Sequence, residues 1–247
     1  MSEIVLDRLS VRYANNKETV LALDDVSITF HPSFNVVLGC SGSGKTTLLR
    51  TLAGLLEYNG KVFIDGKEMS GIPTNERNMA LVSQQYVLYP SQTIFDNIAF
   101  PLKLQKLPSE EIKERVFDIA LKLDLTACLT RKPKQISGGQ QQRVAIAKAL
   151  IKRPSICLMD EPLSNVDTKA RAKSRALIKN TLKQYGCTTV YVTHNIYEAM
   201  ALADNIIIID NGKFVLSGTP EEVYNSKEPA VELIKSGLEE YYSGELK

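Results

Sequence analysis

The hydrophobic and polar positions divide the chain into three kinds of segment. Residues 3–30 alternate between apolar and polar side chains, a pattern typical of half-buried β-strands. Between Pro90 and Pro154 the apolar positions recur at helical spacing instead. After Pro154 come short apolar runs without alternation, as in parallel strands covered on both faces: residues 156–159, 189–192 and 206–209. The pattern predicts an α/β core into which a helical segment is inserted.

Local signals refine these boundaries. The run 61–64 lies between an Asn-Gly pair at 59–60 and an Asp-Gly pair at 65–66, which predicts a strand bounded by tight turns. A helix is predicted to begin at Ser109, because the two glutamates that follow are favourable at the positive end of a helix dipole. One face of that helix is apolar and is predicted to pack in the core: Ile112, Val116, Ile119, Ala120 and Leu123.

The length of 247 residues is enough for one large domain with a sizeable core. We expect a single domain with an N-terminal antiparallel β subdomain and a mostly parallel sheet. Its α/β core is predicted to span about 1–89 and 155–225. The inserted helical subdomain is predicted at about 90–154, and a C-terminal tail at 226–247.

A glycine-rich loop follows the apolar run 36–38, and a helix is predicted from Lys45 to Leu56. Strand, glycine loop and helix is the arrangement that lets backbone N–H groups converge on the β- and γ-phosphates of a nucleotide. Lys45 would add a positive charge and Thr46 a hydroxyl for Mg²⁺. The nucleotide-binding residues predicted here are Gly39, Cys40, Ser41, Gly42, Ser43, Gly44, Lys45, Thr46 and Thr47. Cys40 is predicted to be a reactive thiol, because it lies among these donors.

Two further groups point to the same chemistry. The strand 156–159 delivers Asp160 and Glu161 at its carboxyl end, where Asp160 would bind Mg²⁺ through water and Glu161 would orient or deprotonate the attacking water. Upstream, a Ser-Gly-Gly-Gln turn opens a helix and offers a second set of N–H donors to phosphate. Its residues are Ser137, Gly138, Gly139 and Gln140, and the next three, Gln141, Gln142 and Arg143, are expected to be structural or partner-facing.

Composition limits the kinds of partner and the cellular compartment that we expect for the protein. The formal net charge of +2 is too small to indicate a nucleic-acid-binding surface. No apolar run approaches the roughly 18 residues needed to span a bilayer, and the first residues lack the pattern of a signal peptide. The four cysteines have neither metal-ligand nor disulfide spacing. We therefore expect a protein of the reducing cytoplasm.

The phosphate loop, the Ser-Gly-Gly-Gln turn and the Asp160-Glu161 pair together resemble the ABC (ATP-binding cassette) ATPases over most of the chain. The resemblance implies that two copies pair head to tail around two ATP molecules. It also implies roles for Tyr13 in stacking on adenine and for His194 in contacting the γ-phosphate. Gln84 would reach Mg²⁺ and the attacking water, although Gln85 leaves its register open. The segment Ser164, Asn165, Val166 and Asp167 would cross to the opposite protomer.

Three segments narrow the resemblance to the ATPase subunits of bacterial sugar and polyamine importers: residues 84–90 with 97–102, residues 137–143 and residues 218–224. In such proteins the segment after Gln84 helps to form a groove for a helix of the membrane subunit. The apolar positions 86–89 would either suit that groove or fill the core of the helical subdomain. Many sugar-importer ATPases continue into a regulatory β-domain, and the sequence does not say whether that domain is naturally lacking or was cut.

The sequence therefore predicts a transport-coupled ATPase that uses ATP and Mg²⁺ and acts in import. It would be peripheral to the cytoplasmic face of the membrane. Its partners would be a second ATP-binding subunit, integral membrane permease subunits and, indirectly, a solute-binding protein, with no nucleic acid. Two alternatives stay open: a soluble ABC ATPase acting on ribosomes or DNA, which co-purifying nucleic acid would favour, and a kinase, which would leave residues 137–140 without a purpose.

Overall fold

The structure is a computed structural model that describes residues 1–14, 19–164, 166 and 168–244. Its strands are β1 (Ile4–Ala14), β2 (Thr19–Phe30), β3 (Phe34–Leu38), β4 (Asn59–Ile64), β5 (Lys67–Glu68), β6 (Met79–Val82), β7 (Ile156–Asp160), β8 (Thr188–Thr193), β9 (Asn205–Asp210) and β10 (Lys213–Gly218). Its α-helices are α1 (Lys45–Leu52), α2 (Ile94–Leu104), α3 (Ser109–Lys122), α4 (Gly138–Leu150), α5 (Thr168–Tyr185), α6 (Ile196–Leu202), α7 (Pro220–Asn225) and α8 (Pro229–Gly244).

The chain forms two compact units. The first comprises residues 1–79 and 188–247 and contains two groups of strands. An antiparallel sheet has the order β2-β1-β4-β5, and a second group has the order β10-β9-β3-β8, in which β3 is parallel to both β8 and β9. Every residue of β3 and of β8 is buried, as in parallel strands that are covered on both faces.

The second unit comprises residues 80–187. Here β7 lies beside β6, and helix α2 packs against α3 and α4. The predicted apolar face of α3 is buried along its length, with Val116, Ile119 and Ala120 fully inaccessible to solvent. Helix α3 begins at Ser109, as predicted. The antiparallel N-terminal strands, the parallel strands and the inserted helices all appear in the predicted order, while the predicted subdomain boundaries stay a prediction.

The prediction that the first helix runs from Lys45 to Leu56 was wrong, because α1 ends at Leu52. Gly54 adopts a left-handed φ of 74°, which a continuing helix does not allow. The buried guanidinium of Arg77 also donates hydrogen bonds to the Thr51 and Leu52 carbonyl oxygens, at 3.3 and 2.9 Å. These carbonyl groups would otherwise accept from a further turn, so a distant arginine ends the helix.

Candidate nucleotide site

The glycine loop joins β3 to α1 and is shaped by close backbone contacts. A Cβ atom at Gly39 would lie 2.2 Å from the Ile209 carbonyl oxygen, so only glycine fits between the loop and β9. Gly44 is the N-cap of α1 with a left-handed φ of 100°, and no side chain caps this helix. The first N–H groups of α1 are therefore not taken by a side-chain cap, which is the arrangement of an anion site at a helix start.

Lys45, the first residue of α1, holds its positive charge inside this loop. The side chain is buried, and its Nζ atom donates to the carbonyl oxygens of Gly39 and Cys40 at 2.8 and 2.6 Å and to Ser43 Oγ at 3.3 Å. A buried ammonium group is costly unless its donors are satisfied. The loop oxygens satisfy them here, and they keep the charge at the helix start, where a triphosphate would need it.

Tyr13 lies at the end of β1 beside the same helix. Its hydroxyl and that of Thr47 are 3.2 Å apart, within hydrogen-bonding distance. The residue is 38% exposed, so a ring face is available to a stacking partner. The structure therefore brings Tyr13 to the helix that follows the glycine loop, as expected of a residue that would hold the base of a nucleotide bound there.

His194 lies at the same edge of the sheet as the loop. In the parallel pair β3–β8, Leu38 is opposite Thr193, so Gly39 and His194 each come directly after the paired residues. The carboxyl ends of adjacent parallel strands form the usual ligand-binding edge of an α/β sheet. Asn195 then caps α6, since its Oδ1 atom accepts from the N–H groups of Tyr197 and Glu198. This capping explains why an asparagine can follow the histidine.

One support of the loop was missed at the sequence level, namely the turn between β9 and β10. The Gly212 N–H donates to the Ser43 carbonyl at 3.1 Å, and the Gly212 carbonyl accepts from the Asp24 N–H at 2.9 Å. The turn therefore fixes the end of the phosphate loop. The signal was present, since Asn211-Gly212 after an apolar run is a strong hairpin signature.

In the second unit, Asp160 ends β7 and Glu161 follows it in a turn. Both carboxylate residues are half-buried. Glu161 has a left-handed φ of 44°, an uncommon conformation for a residue with a side chain. Its carbonyl oxygen accepts hydrogen bonds from the Ser164 N–H at 3.2 Å and Ser164 Oγ at 3.0 Å. Of the segment predicted to cross to the opposite protomer, Asn165 and Asp167 lie outside the described residues.

The segment after Gln84 is fixed at two points. Tyr86 donates its hydroxyl hydrogen to the Pro162 carbonyl at 3.1 Å. The ring of Tyr89 packs against Phe100 with its centroid 4.7 Å away, and Lys148 Nζ lies 4.1 Å from the Tyr89 centroid. Between them Val87 is 68% exposed. Each of the two interpretations of positions 86–89 therefore fits a different residue. Tyr89 packs within the second unit, whereas Val87 is exposed.

The Ser-Gly-Gly-Gln turn opens α4 as predicted. Ser137 is the N-cap, its Oγ accepts from the Gln140 N–H at 3.3 Å, and Gln140 Oε1 accepts from the Ser137 N–H at 3.0 Å. This reciprocal pair is a capping box. Ser137 and Gly138 are exposed, so this helix start faces outward.

The three residues after the turn have structural contacts. Gln141 Nε2 donates to the Pro133 carbonyl at 3.0 Å, and Arg143 bonds to the Leu123 carbonyl at 2.8 Å. Gln142 is fully buried. The expectation that the three residues are structural or partner-facing stays a prediction.

These groups fit ATP and Mg²⁺ by chemistry. The first unit combines a glycine cradle, a buried cation and an aromatic ring, while the second offers two carboxylates and a helix start. Mg²⁺ prefers oxygen donors such as the Thr46 hydroxyl and the Asp160 carboxylate, with water completing its shell. The strand, loop and helix of the first unit define the phosphate-loop class of nucleotide-binding α/β proteins.

Comparison with known proteins makes this class more specific. The sequence pattern of the ABC transporter family matches residues 23–164. Two solved structures of an ATP-binding cassette, MJ0796, superpose with TM-scores of 0.78 and 0.79 at 31% and 32% identity. Each alignment covers 88% of this chain and 98% of the cassette. The chain belongs to the ABC transporter family and has the α/β fold of its ATP-binding cassettes.

Curated relatives are import proteins by name. The trehalose/maltose import ATP-binding protein MalK of Thermococcus litoralis is 47% identical over 78% of this chain and 54% of its own length. The oligosaccharides import ATP-binding protein MsmX of Bacillus subtilis is 43% identical over 92% and 62%, respectively. The spermidine/putrescine import ATP-binding protein PotA of Haemophilus influenzae is 40% identical over 89% and 59%. The alignments thus span 54–62% of these relatives.

In the part of the chain that the structure describes, no helix combines the length and the apolar character that crossing a bilayer requires.

Proposed function

We propose that this chain is the ATP-hydrolysing subunit of an ABC importer. The observation that carries the proposal is a pair of helix starts built for phosphate. Helix α1 begins at the glycine loop with the buried Lys45, and α4 begins at Ser137 and Gly138, exposed and without a charged residue in its first turn. A protein that only bound a nucleotide would need the first, whereas a cassette that closes over ATP needs both.

Within one protomer, Tyr13 stacks on the base and the loop N–H groups with Lys45 bind the triphosphate. Thr46, Gln84 and, through water, Asp160 would hold Mg²⁺, which when bound would offset the negative charge that develops on the phosphates. Glu161 orients the attacking water and accepts its proton, while Gln84 and His194 contact that water and the γ-phosphate. In support, His194 and the loop share one edge of the sheet.

The second helix start acts on a nucleotide held by another copy of the chain. Ser137, Gly138, Gly139 and Gln140 donate to the γ-phosphate of that ATP, so two chains pair head to tail. In support, one solved relative is a dimeric cassette bound to ADP and Pi. A ligand shifts an equilibrium only by its preference for one state, so ATP drives closure because only the closed dimer completes its contacts.

Closure is coupled to membrane permease subunits at the cytoplasmic face, through the segment that presents Val87. In support, this valine is exposed between two anchored tyrosines, and exposed apolar side chains in such a position suit a protein partner. The import names of the relatives favour uptake over export. Those names cover disaccharides, oligosaccharides and polyamines, so they do not select one cargo.

The Glu161→Gln variant tests this function. The amide cannot accept the proton of the attacking water, so we expect ATP hydrolysis to fall by about 100-fold or more while ATP binding persists. The trapped ATP should hold two chains together, which gel filtration would show as a dimer that appears only with ATP. Glu110→Gln is the matched control, because that carboxylate is 84% exposed on α3. A Glu161→Gln chain that stays monomeric with ATP and hydrolyses it at the normal rate would refute the proposal.

A further inference from the structure

The turn that carries Glu161 is held in a conformation that the residue does not favour by itself. Its φ of 44° lies in the left-handed region, which is sparsely populated by residues with a Cβ atom. Such conformations persist where surrounding contacts hold them. Two of these contacts are local, the hydrogen bonds from the N–H and Oγ of Ser164 to the Glu161 carbonyl oxygen.

A further contact reaches this turn from a distant part of the sequence. The Tyr86 hydroxyl donates to the carbonyl oxygen of Pro162, the residue after Glu161, at 3.1 Å. The two residues are 76 positions apart, and the bond is partly shielded from solvent. Pro162 is itself buried, so its carbonyl group has few alternative partners and this bond constrains the peptide next to Glu161.

The segment that begins at Tyr86 is held by further hydrogen bonds at Tyr89. The fully buried Asn97 of α2 accepts from the Tyr89 N–H at 2.7 Å and donates to the Tyr89 carbonyl at 3.1 Å. Lys148 donates to the Val87 carbonyl at 3.0 Å from α4. The exposed Val87 therefore lies within a stretch of four residues that is fixed at Tyr89 and attached to the Glu161 turn at Tyr86.

We propose that Tyr86 is a positioning residue for hydrolysis, whose hydroxyl holds the Pro162 carbonyl and thereby sets the orientation of the Glu161 carboxylate. A displacement of the segment at Val87 would then reach Glu161 through one hydrogen bond. This inference rests on the proposed function, because it requires Glu161 to act on the attacking water. It assigns Tyr86 a role that acts through the backbone next to Glu161.

The Tyr86→Phe variant tests the role, because it removes only the hydroxyl. Loss of one hydrogen bond in the transition state should lower kcat about five-fold, with the KM for ATP unchanged. Tyr89→Phe is the matched control: it removes a hydroxyl from the same segment and keeps the ring against Phe100 and Lys148. Its kcat should stay within about two-fold of the parent chain, as expected of a change without a catalytic contact.

Combining variants distinguishes a positioning role of Tyr86 from a merely structural one. If Tyr86 acts through Glu161, adding Tyr86→Phe to Glu161→Gln should leave the single-turnover rate unchanged. The inference is overturned if Tyr86→Phe has a normal kcat, if Tyr89→Phe is equally slow, or if the double variant loses a further five-fold. An inactive parent chain would overturn the proposed function together with this inference, whereas an active parent with a normal Tyr86→Phe variant would overturn the inference alone.

Discussion

Helices α1 and α4 both have a glycine at their start, Gly44 as the N-cap of α1 and Gly138 as the first residue of α4, yet the two starts are capped in different ways. Helix α1 has no side-chain cap and places the buried Lys45 at its first position. Helix α4 is capped by the Ser137–Gln140 pair, and Ser137 and Gly138 are exposed. The first helix start contains a charge inside a loop of fixed shape, while the second consists of neutral donors at a surface.

This difference indicates two separate tasks. A cation at a helix start can bind a triphosphate by itself, because it combines a full charge with the helix dipole. Neutral donors add to the binding of a phosphate whose charge is already largely balanced. The nearest cation on α4, Arg143, donates to the carbonyl oxygens of Leu123 and Gly139 and to the Asp124 carboxylate, so its charge is bonded to acceptors within the chain. The second site therefore suits a lid on ATP that is bound elsewhere.

The largest effect is expected from disabling each helix start in turn. Lys45→Ala should reduce hydrolysis about 100-fold or more, because the positive charge at the start of α1 is lost. Gly138→Asp should reduce hydrolysis to a similar degree, although it leaves ATP binding to the isolated protomer intact. An acid is tolerated at a helix N-terminus, so the helix should form while its charge repels the γ-phosphate. ATPase assays and equilibrium ATP binding would measure the two effects.

Mixing the two variants tests whether α1 of one chain and α4 of another form a single site. If each site joins α1 of one chain to α4 of another, an equal mixture contains mixed dimers with one intact site. About a quarter of the parent activity should then return, from half of the dimers with one of two sites each, provided that the sites act independently. A mixture as inactive as its components would contradict the assignment of α4 to a partner. Lys113→Ala serves as the control, because the Lys113 side chain lies on the exposed face of α3.

A smaller set of changes concerns Cys40, which lies in the first loop. Alkylation with N-ethylmaleimide should block hydrolysis, because the adduct would fill the phosphate cradle, and bound ATP should protect. Cys40 is partly exposed, whereas burial raises the pKa of the Cys128 and Cys157 thiols and makes them poor nucleophiles. Mass spectrometry would locate the adduct, and Cys40→Ser should resist the reagent. Full activity after stoichiometric labelling of Cys40 would contradict this prediction.

The smallest effect concerns the contact between Arg143 and Asp124. The Arg143 guanidinium donates to Asp124 at 3.1 Å and, with the nearby Lys173, holds the pKa of that carboxyl below its ordinary value. The unfolded chain therefore binds the proton more tightly. The contact stabilises the fold above the unfolded pKa of Asp124, and this stability is lost as the pH falls through the lower folded value.

Asp124→Asn should therefore lower Tm by about 1–2 °C at pH 7, since an exposed ion pair contributes little. The difference from the parent chain should shrink as the pH falls below the unfolded pKa of Asp124, in a thermal melt followed by circular dichroism. Asparagine tolerates the left-handed φ of 54° at this position, so the substitution changes charge without straining the backbone. A difference that persists unchanged at pH 3 would show that the contact is not ionic.

Much of this protein follows from local sequence. Alternation in residues 3–30 predicted the antiparallel strands β1 and β2, and the apolar runs predicted β7, β8 and β9. The glycine loop, the capping serine and the paired carboxylates could be recognised because each depends on neighbours in the chain. Local backbone geometry is encoded by the residues that adopt it, so these features can be read without a fold.

The features that the sequence did not predict share a different cause. Helix α1 ends four residues early because Arg77, 25 positions beyond Leu52, bonds to its last carbonyl groups. Gly212 supports the loop at Ser43 from 169 positions away, and Tyr86 reaches the Glu161 turn across 76. Each contact joins segments that no local pattern relates.

The sequence by itself determined the elements and the chemistry of this protein: which segments form strands and helices, and which residues can bind phosphate, hold a metal or move a proton. Only the tertiary structure decided which side of the segment 86–89 is exposed, where α1 ends, and that His194 and the glycine loop lie at one sheet edge. The physical reason is that propensity and turn chemistry act over a few residues. Burial and long-range hydrogen bonds depend on how distant segments pack.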